Sequence, residues 1–104
     1  LAERDVNLRK YEALAWELYG GQGDKASYEL VRILIVARLF ALYGVMSNEL
    51  CEALGVTKPT LQRRFRPLKD ASLVYVERVG HKVYYACELD ELERQVVRLG
   101  SVEE

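Results

Sequence analysis

Between residues 47 and 70 the chain reads SNELCEALGVTKPTLQRRFRPLKD, two short apolar periodicities split by a glycine, and this punctuation constrains the fold more than any other stretch. Ser47 suits the N-cap of a short helix running to Leu54, and Gly55 stands where a helix ends in a left-handed residue. Thr57 suits the cap of the next helix, with Pro59 near its start, where a missing N–H does no harm. In that helix Leu61, Phe65 and Leu68 recur at i, i+4 and i+7 and predict a buried stripe. Pro67, inside the same pattern, denies a hydrogen bond and crowds the preceding turn, so a kink or a broken last turn is expected there.

The face opposite the stripe is cationic. Residues 55–70 hold three arginines and two lysines in a chain whose formal net charge is only −1. At about 100° per residue, Arg63 and Arg66 point away from the stripe, and Thr60, Gln62 and Arg64 flank it. The charge is segregated along the chain: residues 57–85 carry seven basic and two acidic side chains, whereas residues 86–104 carry two basic and six acidic ones. Crowded like charges weaken a helix, so this face is expected to meet solvent or a polyanion.

The flanking segments complete the architecture. Arg4 to Tyr19 reads as an amphipathic helix carrying Leu8, Tyr11, Ala15 and Leu18, with Trp16 as a core or interface anchor. Gly20, Gly21, Gln22, Gly23 and Asp24 form a joint rather than a phosphate cradle, because no GxGxxG follows a strand here. A second helix is expected from Lys25 or Ala26 to Tyr43, its length outweighing the β-branched cluster at Val31, Ile33, Ile35 and Val36. Leu73 to Val79 and Lys82 to Cys87 read as strands joined by Gly80 and His81, a type II′ hairpin signal. Tyr84 and Tyr85 must then face opposite sides of their strand. From Leu89 or Asp90 a last helix carries the narrow stripe Leu89, Leu92, Val96 and Leu99, of the kind that meets a partner helix. The expected fold is therefore α+β and mostly α, one domain over residues 1–104, in the order α-α-α-α-β-β-α. A short helix, a turn, a second helix with exposed polar groups and a hairpin form a winged helix-turn-helix, with an extra N-terminal helix and a C-terminal helix.

The segment SNELCEALGVTKPTLQRRFRPLKDASLVYVERVGHKVYYACEL resembles the winged helix-turn-helix core of the ArsR-type bacterial and archaeal repressors. The similarity runs from about Tyr28 to Leu99 and is strongest at positions such as Glu49, Leu50, Gly55, Thr57, Leu61, Leu68, Leu73, Val74, Gly80, Tyr84 and Tyr85. MarR- and PadR-type relatives share most of this pattern, so it speaks for fold more than for role. The resemblance implies a symmetric dimer joined through helices at about 4–19 and 89–99, with Leu8, Tyr11, Leu18, Leu89, Leu92, Val96 and Leu99 as interface candidates. It also implies a helix-turn-helix at about 47–71 and a wing at about 73–87, with residues 58–69 in the major groove and 78–82 near the minor groove. DNA contacts are then expected from Thr57, Lys58, Pro59, Thr60, Gln62, Arg63 and Arg64, with Arg66 on a phosphate and Arg78, His81 and Lys82 on the wing. Metal-sensing members carry cysteines where this chain has Met46 and Asn48, which leaves Cys51 alone; no metal and no cofactor is expected.

Other classes find little support. Cys51 and Cys87 fit no metal or redox spacing and read as free thiols, a disulfide being the alternative. The longest apolar stretch, Val31 to Gly44, is broken by Arg32 and Arg38 and is too short to cross a bilayer; no export signal is read at the start. His81, the one histidine, lies at a turn without a nucleophile beside it, so no enzyme is expected. The expected function is a cytoplasmic, nucleoid-associated dimeric regulator that binds double-stranded DNA. The alternatives are a DNA-coating or partition-type adaptor, using the acidic C-terminal surface for a protein partner, and a winged-helix protein-interaction module.

Overall fold

The computed structural model describes residues 3–40 and 44–102. Helix α1, Glu3–Leu18, leads through a 3-10 turn at Gly20–Gln22 into α2, Lys25–Phe40. The joint is capped: Asp24 Oδ1 accepts from the Ser27 N–H at 3.1 Å, which satisfies a donor that the first turn of a helix leaves free. Ser27, Leu30, Val31, Leu34 and Ile35 of α2 are buried at helical spacing, so periodicity prevails over the strand preference of its β-branched residues. The end expected at Tyr43 falls on residues 41–43, which lie outside the described residues.

After α2 the structure departs from the expected order. A two-residue strand β1, Val45–Met46, precedes α3, Ser47–Leu54, and α4, Lys58–Asp70; strands β2, Val74–Val79, and β3, Lys82–Cys87, and helix α5, Leu89–Val102, follow. The order α-α-α-α-β-β-α is thus corrected to α-α-β-α-α-β-β-α, an α+β fold that is mostly helical with a three-stranded antiparallel sheet. Sheet order is β1-β3-β2, with Val45 opposite Tyr85 and Met46 opposite Tyr84. The approach to β1 depends on Gly44, where a Cβ would overlap the Tyr85 carbonyl oxygen. This strand also displaces the expected cap of α3: Ser47 is already helical, Met46 is the N-cap, and its N–H donates to Glu49 Oε1 at 3.2 Å.

Both helices of the central pair end by the same device. Gly55 has a φ of +67°, and the N–H groups of Gly55 and Val56 return to the carbonyls of Glu52 and Cys51 at 3.3 and 3.0 Å. At the end of α4, Ser72 takes a φ of +63°, and Ser72 and Leu73 return to Lys69 and Leu68 at 2.9 and 3.0 Å. Paired bonds of this kind close a Schellman motif, and here its apolar contact joins Leu68 and Leu73, both fully buried. Pro67 does not break α4, which runs on to Asp70.

The core lies where α2, α4 and the sheet meet. Leu61, Phe65 and Leu68, the expected stripe, are all buried, and Phe65 meets Tyr85 edge-on with ring centroids 4.3 Å apart. Tyr84 takes the opposite side of β3 from Tyr85. Gly80 alone of the two turn residues has a positive φ, +64°, the sign pattern of the expected II′ turn. Helices α1 and α5 pack on one another, so much of the apolar stripe on each is used within a single chain. Leu92 is fully buried, Leu8, Tyr11, Leu18 and Leu89 are partly covered by the core, and Leu99 stays 46% exposed. Trp16 is anchored edge-on to Tyr28 at 5.1 Å and is also 46% exposed.

Candidate nucleic-acid interface

The polar residues of interest sit on the outer face of α4 because its inner face is consumed by Leu61, Phe65 and Leu68. Thr57, Lys58, Pro59, Gln62, Arg63 and Arg66 are exposed, while Thr60 and Arg64 are half-buried at the flanks. Thr57 is the N-cap, its Oγ1 accepting from the Thr60 N–H at 3.5 Å. The Thr57 hydroxyl donates to Thr60 Oγ1 at 3.2 Å, and Arg63 Nη2 donates to the same oxygen at 3.2 Å. Three residues one helical turn apart are thereby linked from the cap outward.

The β2–β3 hairpin stands beside this helix. Register places Val76 opposite Tyr85 and Arg78 opposite Val83, so these four side chains share the face turned to α4. Between them and the helix runs a groove of about 470 Å³ lined by Ser47, Lys58, Leu61, Gln62, Lys69, Val76, Arg78, Val83 and Tyr85. Gln62 also borders a second groove of about 570 Å³ across α4, with Pro59, Arg63, Arg66, Pro67 and Asp70. At the hairpin tip His81 and Lys82 are exposed.

Electrostatics separate this surface from the rest of the molecule. Among the described residues the ion pairs are Lys10–Glu93, Arg32–Glu12, Arg94–Glu91 and Arg98–Glu91, all on α1, α2 and α5. None of the seven cations of residues 57–85 is in an ion pair with a described residue. Two carboxylates of α5 are engaged internally: Arg94 holds the Glu91 carboxyl below its ordinary pKa, and Lys10 does the same for Glu93.

The structure thus gathers Lys58, Thr60, Gln62, Arg63, Arg64 and Arg66 on one helix and Arg78, His81 and Lys82 on the adjoining hairpin. Lys69 and Ser47 are not among the DNA contacts expected from the sequence, yet both line the groove. For Lys69 the signal was available, since eleven residues make three helical turns and bring it onto the face of Lys58. No cluster of three or more metal-ligating side chains occurs among the described residues. Both cysteines are free, and burial pushes the Cys87 thiol up to about 12. No helix among the described residues is long and apolar enough to cross a membrane. The chain matches no protein-family model and no curated protein at a significant level.

Proposed function

We propose that the protein is a winged helix-turn-helix regulator of the ArsR-like kind that binds duplex DNA as a homodimer. In this reading α3 and α4 are the helix-turn-helix, α4 enters the major groove, and the β2–β3 hairpin is the wing. The observation that carries it is the cationic surface of α4 and the hairpin, with Lys58, Lys69 and Arg78 around one groove, Arg63 and Arg66 beside a second, and no carboxylate of the described residues paired to its cations. Cations left without internal ion pairs on an outward helix are what phosphate neutralisation requires, because each phosphate contact releases condensed counterions. The docking size is also right, since a major groove about 12 Å wide admits one helix. For the dimer, the apolar surface left outside the α1–α5 pair, at Trp16, Val97 and Leu99, supplies the contact.

Selection of bound sequences from a random duplex pool, followed by footprinting, tests the reading. A discrete palindromic site with half-sites about 34 Å apart is expected. Spreading protection would favour a DNA-coating adaptor, and unchanged low-salt binding after replacing both Arg63 and Arg64 by Ala would remove α4 from the interface.

A further inference from the structure

Of the seven cationic side chains on residues 57–85, that of Arg63 alone is hydrogen-bonded to the protein among the described residues. A cation present only for solubility, or for following a phosphate, gains nothing from being tethered, whereas base readout needs a guanidinium held in one orientation. The tether is itself oriented. Thr60 Oγ1 accepts from the Thr57 hydroxyl and from Arg63 Nη2, each at 3.2 Å, so both lone pairs of that oxygen are occupied. What remains uncommitted is one hydroxyl hydrogen on Thr60 and the other N–H groups of the Arg63 fork, all donors. Thr57 is the helix cap, its Oγ1 accepting from the backbone N–H of Thr60 at 3.5 Å, so the chain of bonds starts from the capped end of α4.

We infer that Thr57, Thr60 and Arg63 form a preset donor unit that selects guanine in the major groove, with Arg63 contacting the base and Thr60 as its positioning residue. The inference rests on the duplex-binding reading above. A donor-only unit requires adjacent acceptors, and on the major-groove edge guanine presents two, N7 and O6, while adenine offers N7 beside an amino donor. Prior ordering by Thr60 removes part of the entropy that a free arginine loses on binding, and it withholds that advantage from any base that cannot accept twice.

The probe is the duplex recovered by wild-type protein from a random pool, remade with single changes at each guanine. One guanine per half-site is expected to matter, its replacement by adenine weakening binding about 5- to 100-fold. At that guanine, 7-deazaguanine, which lacks the N7 acceptor, causes part of this loss, and inosine, which keeps both acceptors, causes none. Thr60→Val reduces the discrimination about two- to tenfold. Thr60→Ser retains it, and the salt slope of Thr60→Val matches wild type because no phosphate contact is lost. Arg63→Lys, equal in charge but without the fork, loses the discrimination and keeps the salt slope. Circular dichroism and melting of each variant establish that it is folded. Full wild-type discrimination in folded Thr60→Val or Arg63→Lys overturns the inference and leaves duplex binding standing. Wild-type binding without sequence preference also overturns it, and no low-salt affinity for any duplex overturns the underlying reading as well.

Discussion

At the scale of single residues, two backbone positions of equal geometry carry different side chains. Gly55 and Ser72 both adopt a left-handed φ, +67° and +63°, to close a helix. Serine meets a Cβ penalty there that glycine avoids, partly offset by the greater freedom glycine has in the unfolded chain. Ser72→Gly is therefore expected to stabilise the fold by about 0.5–1 kcal/mol, raising the melting temperature by a few degrees in calorimetry. The thiols form a second pair of contrasting residues. Cys87 is fully buried with its pKa pushed up to about 12, and Cys51 is half-buried. A thiolate-directed reagent should modify Cys51 in the native protein and Cys87 only on unfolding, read by mass spectrometry against denaturant. Native-state modification of Cys87 would mean that the β3–α2 contact opens.

Among elements, the seam between α1 and α5 is held by Leu92 below and by a polar margin above. Glu93 is its hub, paired with Lys10 and accepting from the Tyr11 hydroxyl at 3.4 Å. Because the Lys10 hydrogen bond holds the Glu93 pKa below the ordinary carboxylate value, its stabilising contribution is complete above that value and is lost as pH falls through the lowered folded pKa. Both groups are open to solvent, so the effect should be small and should shrink with added salt. Hydrogen exchange across α5 should quicken relative to α4 as the solution is acidified at low salt, and Glu93→Gln should flatten that dependence. An acid response identical in wild type and Glu93→Gln would assign it elsewhere. A second tie binds α5 to the far end of α4: Gln95 Nε2 donates to the Ala71 carbonyl at 2.8 Å. The C-terminal helix is thus fastened to the turn through which α4 passes into β2.

For the molecule as a whole, charge is sorted by tertiary position. The ion pairs staple the α1–α2–α5 side together, and the α4–hairpin side keeps its cations without such partners among the described residues. Under the proposed function this gives Lys69 and Arg63 separable roles on one helix. Lys69→Ala should weaken duplex binding uniformly across sequences and lower the log-log salt slope by about 0.9, since a phosphate contact carries no base information. Fluorescence anisotropy titrations on selected and scrambled duplexes at several salt concentrations measure both quantities. A sequence-dependent loss in Lys69→Ala would instead make the lysine a base contact.

What the amino-acid sequence determined by itself is what a few neighbouring residues decide. The stripe of Leu61, Phe65 and Leu68 follows from i, i+4, i+7 spacing, the Thr57 cap from a hydroxyl three residues before its donor, and the Gly80 turn from a positive φ. Even there a local rule misled where neighbours intervened: Met46 displaces Ser47 as a cap once the backbone before α3 pairs with β3. Tertiary structure alone decided the rest. Strand β1 is two residues long, too short for a periodicity, and exists because Tyr84 and Tyr85, some forty residues on, supply its ladder partners. The α1 and α5 stripes, read as surfaces for a partner, face each other first, because apolar area is covered by whichever surface lies nearest in space. The groove that joins Lys58, Lys69 and Arg78 likewise comes into being only when β2 folds back beside α4, an encounter between distant segments that no local spacing encodes.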